Sequence, residues 1–242
     1  MLTTKLRYNE AKGQYMAKLI VIEGTDGSGK QTQAKLLADN LRAQGFKVFE
    51  QSFPNYDSPS SGPAKLYLGG HLGESATQFD AYKASSLFMV DRLCTVTMLK
   101  NKIDEADYVI FDRYVESNII HQASKIDDEA ERKKFIEWDY ETEYTLFGLP
   151  KPKVVFFLNM PPEVSKKLRE KRGVLKTGEK EDIHEKDLAY MQKCYDYGVY
   201  VAKLLNWQTI DCAKSGEPLS REEIADKILC NVKNLGCDNY EK

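Results

Sequence analysis

The 242 residues hold no apolar run near the roughly 20 that a membrane-crossing helix needs, and the chain opens without the apolar stretch of a secretory signal. A soluble, cytoplasmic protein with no membrane partner is therefore expected. Positive charge is not in surplus either: 35 basic against 37 acidic side chains leave a formal charge of −2, too little for a global field that would hold nucleic acid. Any recognition of phosphate must be local. The five cysteines, Cys94, Cys194, Cys212, Cys230 and Cys237, show no CxxC spacing and are odd in number, which does not fit a disulfide framework and does fit reduced thiols. His71, His121 and His184 are too scattered for a metal cluster, and each reads as incidental. With no internal repeat or low-complexity stretch, one domain over residues 16–242 is expected. The first fifteen residues are polar and precede Met16 and the first strand pattern, so they read as a leader from an upstream start or a remnant of expression.

What is present is an alternation. Short, continuously apolar runs at Lys18–Glu23, Val48–Gln51, Tyr108–Asp112 and Val154–Leu158, with a weaker one at Trp207–Asp211, have the pattern of strands buried on both faces. Helical patterns lie between and beyond them: Lys30–Gln44, Ala76–Lys100, Val115–Ile126, Asp128–Thr145, Pro162–Lys171, Asp182–Leu205 and Ser220–Asn234. That order predicts an α/β fold, a five-stranded and mostly parallel sheet flanked by helices, with the ligand at the carboxyl ends of the strands. Asn55–Pro63 and the pair Gly69–Gly70 read as loops above that edge.

Gly24-Thr25-Asp26-Gly27-Ser28-Gly29-Lys30 stands between the first strand and the first helix, the context in which a GxxxxGK match has meaning. Glycines let the backbone turn N–H groups inward around phosphate oxygens, the helix start adds partial positive charge, and Lys30 adds a full one. A triphosphate is the natural guest, so a P-loop of the NTPase type binding ATP is expected over residues 24–32. After the lysine, where a magnesium-ligating hydroxyl is usual, stand Gln31 and then Thr32. Either Thr32 takes that role, or Mg²⁺ is held mainly by phosphates, water and a carboxylate. The carboxylate on offer is Asp112, which the run YVIFDRYVES places beside Arg113 at the end of the third strand. The arginine presents a fork suited to phosphate oxygens and to charge developing on a transferred group. Four residues apart on one helix face, Phe88 and Arg92 pair an aromatic plate with a hydrogen-bonding fork, which suits a flat base.

The stretches EGTDGSGK, FPNYDSPSSG, FMVDR and DRYVES followed by Gln122 together resemble the thymidylate kinases over about Met16 to Asn234. The resemblance implies ATP-dependent phosphorylation of thymidine 5′-monophosphate, for dTTP synthesis, by a homodimer that packs long helices together. It also implies roles. Asp26 would contact the sugar 3′-hydroxyl, Phe88 would stack on thymine, and Arg92, Ser117 and Gln122 would line the base pocket. Arg113 would engage phosphates, and Phe53 and Tyr56 would bring the FPNY loop to the substrate. Many relatives carry an acceptor-binding arginine where Tyr56 stands, so that charge falls here to Arg113 and Arg92.

A charged segment, Lys166–Glu185, reads as a short lid, whose closure would keep water from becoming the acceptor. In the family, members without a P-loop arginine carry one in the lid, which makes Arg169 and Arg172 the candidates. Asp211–Gly216 follows the last strand and reads either as a frame for the adenine of ATP or as a simple connecting loop. Two rivals stand beside this reading: a kinase for another pyrimidine monophosphate or a deoxynucleoside, and a non-catalytic nucleotide-binding switch. For a guanine-reading switch the sequence lacks an NKxD tetrapeptide after a strand.

Overall fold

The computed structural model describes residues 17–73, 75, 77–171 and 188–234. Five strands, β1 (Lys18–Glu23), β2 (Val48–Ser52), β3 (Tyr108–Asp112), β4 (Val154–Asn159) and β5 (Gln208–Asp211), form one sheet in the order β2-β3-β1-β4-β5. Every pairing in it is parallel. The continuous apolar runs have a direct cause. Leu19, Val21, Val109, Phe111, Val155 and Phe157 enter one core, while the alternate residues Ile20, Ile22, Ile110, Phe156 and Leu158 enter the other. A strand clothed on both faces cannot alternate with polar residues.

The helices are α1 (Lys30–Ala43), α2 (Gly62–Leu68), α3 (Ala81–Met98), α4 (Lys100–Asp104), α5 (Glu116–His121), α6 (Glu129–Tyr140), α7 (Pro162–Lys171), α8 (Leu188–Leu204) and α9 (Arg221–Asn234), among the described residues. Several expected boundaries move, among them Val115–Ile126, which is α5 followed by a 3-10 turn, Ala123–Lys125. The long helix starts at Ala81 rather than Ala76 because the Asp80 carboxylate accepts from the Tyr82 and Lys83 N–H groups, and it breaks at Leu99 before α4. The segment read as the loop Asn55–Pro63 contains a 3-10 turn, Pro59–Ser61, and the start of α2. Past α6 the chain widens into a π-helical turn, Glu141–Leu146. Beyond β5, the strands β6 (Ala213–Lys214) and β7 (Glu217–Pro218) form a small hairpin around Ser215 and Gly216, both at positive φ.

Because β1 is central and the chain leaves it toward β2 first and β4 later, the strand order reverses beside β1. That reversal opens a crevice at the carboxyl ends of β1 and β3. Among the described residues, no helix is long and apolar enough to cross a membrane.

Candidate active site

The turn after β1 is a left-handed backbone held by glycine. Gly24, Gly27 and Gly29 have φ of 149°, 80° and 92°. At Gly24 a Cβ would stand 2.7 Å from Ser28 Oγ and 3.1 Å from the Leu158 carbonyl, so the tightness of the turn itself requires glycine. Lys30, buried at the start of α1, donates from Nζ to the Thr25 carbonyl at 2.9 Å and lies 4.0 Å from Asp26. Burial, with the Arg113 charge beside it, lowers the Lys30 value from 10.5 to about 8, against the pull of Asp26 and Asp112. Gln31 is exposed and Thr32 half-buried on the first turn of α1.

At the end of β3 the ladder continues through Arg113, whose N–H donates to the Ile22 carbonyl at 3.1 Å with φ at 66°. A non-glycine residue in this region is held there by its surroundings at a cost in backbone strain. The guanidinium pairs with Asp26 through Nη2, and Nη1 lies 3.2 Å from His121 Nε2. Burial alone would lower the Arg113 value, but Asp26, Glu23 and Asp112 outweigh it and hold it above its ordinary range. Asp112 takes the Ser52 hydroxyl on Oδ2 at 3.2 Å, while its buried Oδ1 has no partner among the described residues. An orphaned carboxylate oxygen at the strand ends fits a hard cation or its water shell.

A cleft of about 280 Å³ runs from this rim, with Asp26, Tyr56, Phe88, Arg92, Arg113, Ser117 and Gln122 among its walls. Thus the structure brings together every residue expected to bind the substrate, including Phe53, which is buried edge-on to Phe111 at 5.2 Å. Phe88 stands edge-on to Tyr67, 5.9 Å away, and is half-buried, with surface left to face a ring. Gln122 Oε1 is buried with no hydrogen-bond partner among the described residues.

Two of these wall residues are also engaged within the protein. Arg92 is not free to balance an acceptor phosphate, because Nε and Nη2 both donate to the Glu143 carboxylate at 2.6 Å. The Ser117 hydroxyl is engaged with Glu23 Oε1 and Oε2, at 2.9 and 3.0 Å. Of the lid candidates, Arg169 falls on the last turn of α7, whereas Arg172 and most of Lys166–Glu185 lie outside the described residues.

Several wall and support residues escaped the sequence reading. Glu23 ends β1 fully buried and also accepts from the Tyr114 N–H at 2.9 Å. Burial pushes its carboxyl up, with Arg113 opposing. A charge closing an otherwise apolar strand was the available signal. Asp91 holds the FPNY loop over the cleft, accepting from the Asn55 N–H at 2.8 Å and the Ser60 hydroxyl at 2.6 Å. His121, read as incidental, lines the cleft with Asn118 and Gln122, and their i, i+3, i+4 spacing along α5 put them on one face.

A family model described as thymidylate kinase matches residues 22–224. Thymidylate kinase from Mycobacterium tuberculosis is 32% identical over 72% of this chain and 81% of its own length. A probable thymidylate kinase from Methanocaldococcus jannaschii is 30% identical over 89% of this chain and 96% of its own. Among solved structures, thymidylate kinase from Candida albicans superposes with a TM-score of 0.67 at 21% identity, covering 90% of this chain and 92% of that one.

Proposed function

The chain belongs to the thymidylate kinase family, and from that premise we propose that it moves the γ-phosphoryl group of ATP onto thymidine 5′-monophosphate, in the cleft between Arg113 and Gln122. One observation carries the choice of acceptor: Arg92 offers only hydrogen-bond donors and the buried Gln122 Oε1 only an acceptor, on the walls of one cleft that also holds Phe88. A thymine edge has a carbonyl for the first and an N3–H for the second. With the 4-position turned to Arg92, cytosine presents the reverse at both: an amino donor there and a bare N3 acceptor.

An oxygen of the acceptor phosphate attacks the γ-phosphorus in line, forming that O–P bond as the bond to the β-phosphate oxygen breaks and ADP leaves. No general base is needed, since a monophosphate is largely ionised at neutral pH, and positioning with charge balance supplies the rate. Lys30 and Arg113 sit at the rim where the two phosphate chains would meet, with Arg169 or Arg172 as the lid cation. Asp112 Oδ1 is the group to hold Mg²⁺ directly or through water, with Thr32 as a second candidate. When bound, Mg²⁺ supplies charge to the β- and γ-oxygens. In this reading Asp26, which pairs with Arg113, takes the sugar hydroxyl, and the β6–β7 turn frames adenine. Val90 and Met98, 45% and 62% exposed on α3, support a homodimer through that helix. A soluble enzyme of the cytoplasm completes the reading.

The test is a panel with ATP and Mg²⁺ that measures ADP release for dTMP, dUMP, UMP, CMP, AMP and thymidine. A preference for any acceptor but dTMP overturns the substrate assignment.

A further inference from the structure

Against one wall of the cleft, the Arg92 and Glu143 side chains are 3% and 0% exposed. Besides its two bonds to Glu143, Arg92 donates from Nη1 to the Tyr114 carbonyl at 3.3 Å. Among the described residues, three of the guanidinium's five N–H donors are therefore used, and two remain on a residue that also lines the cleft.

Glu143 reaches this place from an unusual backbone. It lies in the π-helical turn after α6, where the Phe147 N–H reaches back to the Thr142 carbonyl at 2.9 Å and the Leu149 N–H to that of Glu143 at 3.0 Å. Such turns redirect side chains and recur at functional sites. One turn earlier stands Asp139, and Asn118 Nδ2 ties the two carboxylates together, at 2.9 Å to Asp139 and 3.3 Å to Glu143. Burial pushes both the Asp139 and the Glu143 carboxyls up, and at Glu143 the Arg92 charge opposes it; the two 2.6 Å bonds set the Glu143 carboxylate directly against the Arg92 guanidinium.

We propose that Glu143 is a positioning residue for base selection: by gripping one edge of Arg92 it fixes the remaining donors on the 4-position of the acceptor pyrimidine and cancels the charge behind them. A 4-oxo base then gains a hydrogen bond, whereas a 4-amino base sets donor against donor in a closed pocket. Charge cancellation matters as much as aim. An unneutralised guanidinium at this end would draw the acceptor phosphate away from Arg113. The proposal rests on reading the cleft as the acceptor site.

Glu143→Gln keeps the shape and removes the anion. The expected result is a KM for dTMP raised about tenfold or more, and a preference for dTMP over dCMP narrowed by a similar factor, with the KM for ATP unchanged. Glu143→Asp, which keeps the charge, retains part of that preference. A cooperatively melting Glu143→Gln protein with unchanged preference, or equal losses toward dTMP, dCMP and ATP, overturns the proposal. Should Glu143→Gln fail to fold, Glu143→Asp decides, because its shorter carboxylate cannot span both nitrogens in place, and an unchanged preference there overturns it equally. Calorimetry with thymidine and deoxycytidine separates the two readings. If the wild type transfers phosphate to no monophosphate, the assigned function fails, while loss of discrimination between these nucleosides in the variants still supports the role of Glu143 and its retention refutes it.

Discussion

At the phosphate end of the cleft, Lys30 and Arg113 share the Asp26 carboxylate at a partly open rim, with the Arg113 and Asp26 side chains 20% and 21% exposed. At the base end, Arg92 and Glu143 hold each other away from water, braced by Asn118 and Asp139. In the proposed reaction, incoming phosphate oxygens take over donors that Asp26 now holds, so the rim's ion pairs are provisional. The pair at the base end is permanent, because separating it would leave a buried charge without a partner. Under the proposed function, the groups that follow a moving charge are exchangeable and those that recognise a neutral ring are locked.

The largest expected effect tests the rim. Arg113→Ala removes a donor that phosphate would otherwise claim, and kcat/KM for dTMP should fall by at least about 3 kcal/mol in transition-state terms, some hundredfold. Steady-state ADP release reads this, and near-normal turnover would show the rim cation to be ornamental. At the base end, Phe88→Ala deletes the aromatic face, and the KM for dTMP should rise by roughly tenfold, about 1–2 kcal/mol, with the KM for ATP unmoved. Equal weakening of both nucleotides would remove the division between the two ends.

Two pH experiments sharpen the contrast. The free enzyme's Lys30, lowered to about 8, loses its charge as pH rises through that value, so kcat/KM for ATP should decline by about tenfold per unit above it. Saturating ATP should shift that limb to higher pH, because phosphate favours the charged lysine. A profile flat to pH 10 would contradict an exchangeable cation at the rim. In the sealed region, Glu116 accepts the Tyr144 hydroxyl at 2.6 Å, and burial pushes its carboxyl up to about 8. The folded state thus keeps a proton that the unfolded chain releases above 4.5, and this group erodes stability as pH rises from 4.5 to 8. Glu116→Gln should remove that erosion, gaining about 1 kcal/mol or more at pH 8 relative to pH 5 in denaturant unfolding. An unchanged pH slope would place the carboxyl in contact with water.

Legibility in the sequence follows the same division. The phosphate end could be read because GTDGSGK is contiguous and its meaning lies in backbone: glycines at positive φ, a strand before and a helix after. Asp112 and Arg113 could be read because a buried strand advertises where it stops. Phe88 and Arg92 were found through one helix face, and Gln122 through resemblance to a family. Glu143 gave no such signal, since a glutamate among the charged residues after Asp128 looks like any solvated one until a wide turn carries it inward.

The sequence by itself determined the parallel sheet, its helical cover and the phosphate cradle, because periodicity and local backbone chemistry act over a few residues. Only the tertiary structure decided which carboxylates were buried and whom they met: Glu23 with Ser117, Asp26 with Arg113, Glu143 with Arg92. Those partners lie 94, 87 and 51 residues apart. The energy of a charge depends on what surrounds it in space, and neighbours so distant along the chain are assembled only when the layers close on the sheet.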